Sequence, residues 1–209
     1  MFLFVNLTII VILLRILYPK SSNILLHNDI NLIKIDREIN MDYVNIIIDN
    51  LNKFKENDTV KFFINSNGGE IISGYKLILT MDELKNNNIS FDCYAFNAHS
   101  IAFDIYQRCS KRYSMIESHI MQHNARINTN MDLDKLFELV KNGDIELLKM
   151  INDKLDLYSS KKANISIIEY KQKIKKEYNL KGYEILNAKF SDEMIVIDDL
   201  NFLIDKLIF

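Results

Sequence analysis

Three places in this 209-residue chain combine residue types able to do chemistry with a setting that exposes them. The first is Asn65-Ser66-Asn67-Gly68-Gly69, between an apolar strand-like run and a helix-like one. Two adjacent glycines let a backbone take φ > 0 and come close to a ligand. N–H groups exposed at a helix start then make a seat for an oxyanion or phosphate, so Gly68 and Gly69 are binding candidates. NGG is equally a common turn, and it matches neither the phosphate-binding pattern ending in Gly-Lys-Ser/Thr nor the dinucleotide fingerprint. The second place is Ala98-His99-Ser100-Ile101-Ala102-Phe103. A serine there is most often an N-cap, but the same position exposes its hydroxyl beside the next N–H, the arrangement of a nucleophile with half of an oxyanion hole. The third is His123, closing the run His119 to Gln122. A lone histidine is usually surface or filler; as a general base it needs a serine and an orienting carboxylate.

The elements that must position these residues alternate in type. Apolar alternation predicts strands over 31–36, 60–65 and 91–96, with short ones at 112–115, 119–121 and 194–197. Helical spacing predicts helices over 41–54, 72–85 and 100–108, a long one over 131–162 interrupted at Asn142-Gly143, and a short last one over 180–188. Such alternation argues an α/β fold around a parallel-type sheet.

Composition narrows the classes. Hydrophobic residues make up 48 % and net charge is only −2, which excludes disorder as the main state. The 26 Lys+Arg are balanced by 28 Asp+Glu, so a basic nucleic-acid module is not expected. No His or Cys spacing resembles a metal site, and no cofactor is called for. Cys93 and Cys109 read as buried packing residues, not as nucleophiles or a disulfide scaffold. Residues 1–18 are apolar apart from Asn6, Thr8 and Arg15. The run before Arg15 is shorter than the ~20 residues of a spanning helix, yet snorkelling by Arg15 lets the segment serve as a membrane anchor. A cleaved signal segment fits less well, since no Lys or Arg precedes the run. Arg15 and Lys20 would leave the main domain cytoplasmic; if residues 1–18 pack instead of spanning, the whole chain is cytoplasmic. The expected division is therefore an anchor or signal segment at 1–18, a linker at 19–30, and one domain at 31–209.

Taken in order, the motifs resemble a known family. VKFFINSNGGEIISGYKLILTM is similar to the stretch of Clp-protease proteolytic subunits that reads LYINSPGG and then a small-residue helix. AFNAHSIAFDIY resembles that family's A-A-S-M-G-A-F segment, and KRYSMIESHIMQH its K-R-F-x-x-P-x-S-x-x-M-x-H. KGYEILNAKFSDEMI is similar to E-A-x-x-x-G-L-V-D-x-I. The resemblance implies a ClpP/crotonase-like fold of repeated β-β-α units and a serine endopeptidase with Ser100 as nucleophile, His123 as general base and Asp192 orienting the imidazole. It implies an oxyanion hole made by the backbone N–H groups of Gly69 and Ile101. The apolar N-terminus is similar to that of membrane-anchored signal-peptide peptidases of the SppA type.

The chain departs from the family at several points. His99 stands where a small residue usually precedes the nucleophile, so that an ungapped alignment puts Ala98 or His99 in place of Ser100. Lys189 replaces a glycine before the acidic segment, with Asp198 and Asp199 as substitutes for Asp192. Two other readings follow: an inactive Clp-like scaffold subunit, and an acyl-CoA-handling crotonase relative. The resemblance further implies peptide or unfolded-protein substrates, a homo-oligomeric ring and an ATPase partner.

Overall fold

Val, Ile, Phe and Tyr dominate the strand-forming runs, and consecutive residues in them point to opposite faces. Phe62 and Phe63 show this in the computed structural model, which describes residues 21–23, 31–125 and 133–196. Phe62 packs into the main core beside the helices, while Phe63 joins a smaller cluster on the other face with Tyr94, Tyr113, Met115 and Ile195. The strands are β1 (Ser21–Asn23), β2 (Leu32–Ile35), β3 (Thr59–Ser66), β4 (Ser90–His99), β5 (Lys111–Gln122), β6 (Tyr178–Lys181) and β7 (Glu193–Val196). The helices are α1 (Met41–Leu51), α2 (Ile71–Asn86), α3 (Ile101–Gln107), α4 (Leu133–Lys141), α5 (Asp144–Ala163), α6 (Ile167–Ile174) and α7 (Tyr183–Asn187).

One seven-stranded sheet runs β1-β7-β5-β4-β3-β2, and β6 pairs with β5 beside this path. Every pairing is parallel except β5 with β6. Short polar side chains cap α1 and α6: the Asn40 side chain accepts the Tyr43 N–H at 2.9 Å, and Ser166 Oγ accepts that of Glu169 at 3.1 Å. Gly143, with φ of 75°, divides the expected long helix into α4 and α5.

Several expectations change in detail. The two short strands expected at 112–115 and 119–121 are one strand, β5, whose register against β4 slips between Ala95 and Asn97. Ser118 causes the irregularity locally: its Oγ donates to Ala95 O at 2.5 Å and accepts the Met115 N–H at 2.6 Å. The expected helix at 180–188 begins only at Tyr183, because the residues before it form β6 on the edge of β5. From β2 to β5 single strands alternate with single helices. The second strand of a β-β-α unit is present there only as an isolated bridge between Ile39 and Gly69, since the chain passes from Gly69 almost directly into α2. Cys93 and Cys109 are buried, as their packing role required, but they are also bonded to each other, with Cα atoms 5.9 Å apart. The apolar segment at 1–18 lies outside the described residues; among those described, no helix is long and apolar enough to cross a membrane.

Candidate active site

The Gly-Gly turn is built around Ile39. The Ile39 N–H donates to Gly68 O at 2.9 Å, and the Glu70 N–H donates to Ile39 O at 2.8 Å. A Cβ on Gly69 would lie 2.2 Å from Ile39 O, so only glycine fits. This pairing uses the groups on either side of Gly69 and leaves its own N–H without a partner among the described residues. Gly68 differs from its expected binding role. Its N–H donates to Ser66 Oγ at 3.1 Å, and its φ of 96° lets it sit under the next element, where a Cβ would come within 2.8 Å of Ser100 Cβ. Gly68 is thus a support for Ser100, with no free N–H to offer a ligand.

Ser100 sits where β4 turns into α3, with φ 53° and ψ −128°. Non-glycine residues avoid this region, at a cost of about 1–3 kcal/mol. The surrounding bonds impose it: the Ser100 N–H donates to Met121 O at 2.8 Å, and Ser100 O accepts the Phe103 N–H at 2.9 Å. An N-cap would have extended backbone and a side chain bonded into the first turn. Here the hydroxyl makes no capping bond, so the N-cap reading does not hold. The following N–H, that of Ile101, also has no partner among the described residues. His99, the unusual residue before the serine, packs its ring edge-on against His119 with centroids 4.6 Å apart and does not line the cavity at Ser100.

That cavity holds about 200 Å³ and is lined by Ser100, His123, Gly69, Ile101, Asp104 and Gln122 among others. The structure therefore brings together four of the predicted site residues. A larger groove of about 700 Å³ between β2 and α1 has none of them in its lining. No hydrogen bond joins the Ser100 hydroxyl to the His123 ring; the two share the cavity. His123 Nδ1 lies 2.6 Å from Asn124 O. A carbonyl only accepts, so Nδ1 is the donor in this contact.

Asp192 is not beside His123. It receives the Arg112 N–H at 2.9 Å and the Arg112 guanidinium at 2.5 and 3.1 Å. Partial burial works to raise this carboxyl, but the Arg112 bonds and charge outweigh it and hold it below the ordinary range. Arg112 lies opposite Cys93 in β4 and Met121 lies opposite His99. At about 3.3 Å per strand residue this separates Asp192's partner from the histidine end by roughly 20 Å. Asp192 is thus a structural ion-pair residue, and Asp198 and Asp199 lie outside the described residues.

The acidic residues that line the cavity with His123 are Glu70 and Asp104. Antiparallel pairing of β5 with β6 sets Met121 against Asn179 and Gln122 against Tyr178. The pairing ends there, and Glu177, with φ of 61°, turns the chain into β6. Sequence reasoning missed β6 because it took residues 180–188 for helix; only the pairing with β5 reveals it. Among the described residues no group of three His, Cys, Asp or Glu could hold a metal ion.

The family model for Clp protease matches residues 20–197, and the chain belongs to that family. It is accordingly a peptidase-family protein, and members of the family form oligomeric rings and act on peptides. A search of curated proteins returns no match.

Proposed function

We propose that the chain is a serine endopeptidase in which Ser100 is the nucleophile and His123 the general base, its imidazole oriented through Nδ1 by the Asn124 carbonyl and not by Asp192. The observation that carries this reading is the backbone of Ser100, held at φ 53° and ψ −128° with an uncapped hydroxyl next to two unpartnered N–H groups. Strain of this kind persists where the surroundings over-determine it, and it clusters at active sites. Ser100 Oγ attacks the scissile carbonyl carbon as His123 Nε2 takes its proton. The oxygen of the tetrahedral intermediate then receives hydrogen bonds from Gly69 and Ile101. His123 returns the proton to the leaving amine, and water cleaves the acyl-enzyme by the same route. Removing one oxyanion donor from such a site lowers kcat on the order of 10²–10³-fold.

In this reading the substrates are peptides or unfolded chains, delivered by an ATPase partner to a homo-oligomeric ring. Exposed Ile46 on α1 and Ile72 and Leu79 on α2 support contacts between copies. The apolar run at 1–18 supports membrane association.

Purified protein is treated with a fluorophosphonate probe, comparing wild type with Ser100→Ala and His123→Ala. Labelling of wild type that vanishes in both variants is expected. A folded wild type that takes no label sinks the peptidase reading in favour of an inactive scaffold.

A further inference from the structure

His123 follows β5, and its segment is gripped from two sides by side chains outside the catalytic set. On one side the His123 N–H donates to Gln122 Oε1 at 3.0 Å, and Gln122 Nε2 donates to Asp104 Oδ2 at 2.8 Å. On the other, the Ala125 N–H donates to Asn152 Oδ1 at 3.2 Å, and Asn152 Nδ2 donates to Asp156 Oδ2 at 2.9 Å. Each arm is the same device: an amide side chain accepts from the backbone with its oxygen and is oriented by a buried acid through its NH₂. An amide so held at both ends has no freedom to flip. Asp104, Gln122 and Asp156 are only 5 %, 5 % and 2 % exposed.

The acids that anchor the arms come from α3 and α5, and both helices line the cavity. Asp104 lies one turn beyond Ser100 on α3, so the grip ties the histidine to the helix that begins at the nucleophile. Asn152 and Asp156 stand one turn apart on one face of α5. We propose that Asp104 and Asp156 are positioning residues: acting through Gln122 and Asn152, they fix the backbone from His123 to Ala125 and so set the imidazole against Ser100. The proposal rests on the peptidase reading for its effect on rate, though not for its effect on the backbone.

The environment favours the uncharged acids. Burial raises the Asp104 carboxyl to about 8, with the Gln122 bond opposing and Asp156 adding, and raises Asp156 to about 6 against the pull of Lys171. Asp104 Oδ1 is buried without a hydrogen-bond partner among the described residues. An asparagine is the nearest neutral mimic of such an acid, since its oxygen still accepts from the neighbouring amide; leucine keeps the volume and removes the acceptor.

The test uses the full chain and the variants Asp104→Asn, Asp104→Leu, Asp156→Asn, Asp156→Leu and Asn152→Ala. Backbone amide exchange at His123 and Ala125 is followed by NMR, alongside fluorophosphonate labelling and peptide turnover. Each leucine variant is expected to speed exchange at the amide on its own arm about tenfold or more. It should also lower kcat by on the order of 10²-fold with KM within about twofold, as small misplacements of a catalytic group do. The asparagine variants should restore both. Asn152→Ala, which removes a cavity-lining side chain and leaves both acids in place, should free the Ala125 amide even if the leucine variants fail to fold.

Wild-type exchange in Asp104→Leu and Asn152→Ala overturns the proposal, and so does an asparagine variant as impaired as its leucine counterpart. If wild type takes no label, the peptidase reading fails, and the exchange data alone still decide whether the grip exists.

Discussion

Asp104 carries a pH signature that can be read without any substrate. In an unfolded chain an aspartate releases its proton near 4, whereas burial holds the folded value at about 8. Between those limits the folded state binds more protons than the unfolded one, so this residue makes the fold less stable as pH rises from about 4 to 8, with no further change above. Urea midpoints of wild type and Asp104→Asn should therefore diverge in favour of the variant between pH 5 and pH 8. A constant difference across that range would show that Asp104 titrates normally. At Asp192 the sign is opposite. Its folded value is held low by Arg112, so its stabilising contribution is present above about 4 and is lost as pH falls through the folded value. Because it leaves the buried Arg112 guanidinium without its carboxylate, Asp192→Asn should lower the urea midpoint at pH 7. It should leave fluorophosphonate labelling intact.

At the scale of elements, the junctions matter more than the strands and helices they join. Gly69→Ala places a Cβ 2.2 Å from Ile39 O, against backbone that has no room to retreat. Its expected cost is at least ~2 kcal/mol, read as a lowered urea midpoint together with lost labelling. Unchanged stability would show that the Ile39 bridge is not needed. These junctions were legible in the sequence: glycines between an apolar run and a helix, and a serine at the next such boundary, marked turns whose residues line one cavity. The periods of β3, β4, α1 and α2 were equally plain, because each element buries one face or both in the core. What periodicity could not show was pairing. Tyr178–Lys181 is too short and too polar to announce itself as a strand, and it becomes one only because the edge of β5 is open beside it. Asp192 sits in a recognisable motif, and only the β4–β5 register shows that its Arg112 partner lies at the far end of the strand from His123. In the same way the cysteines disclosed their burial through apolar neighbours, but their mutual contact depends on where α3 returns to β4.

For the molecule as a whole, the described surface leaves large apolar side chains uncovered on two sides. Ile46 and Leu79 are 58 % and 51 % exposed on α1 and α2, and Leu147, Met150 and Leu157 are likewise exposed on α5. Scattered exposed apolar residues are normal, but family members assemble into rings, which gives these faces a use. Ile46→Glu combined with Leu79→Glu should lower the mass measured by sedimentation while leaving the far-ultraviolet circular dichroism unchanged. Wild type and variant sedimenting alike would place self-association, if it occurs, on another face.

The bond between Cys93 and Cys109 spans 16 positions, and Ser100 lies between them. The stretch that ends β4, makes the strained turn and forms α3 is consequently a closed covalent ring with the nucleophile on its circumference. A single cut anywhere in that ring does not divide the molecule. The nicked chain runs as one species on a gel without reductant and separates into two pieces only when a thiol is added, so the labelled serine stays with the whole protein until then.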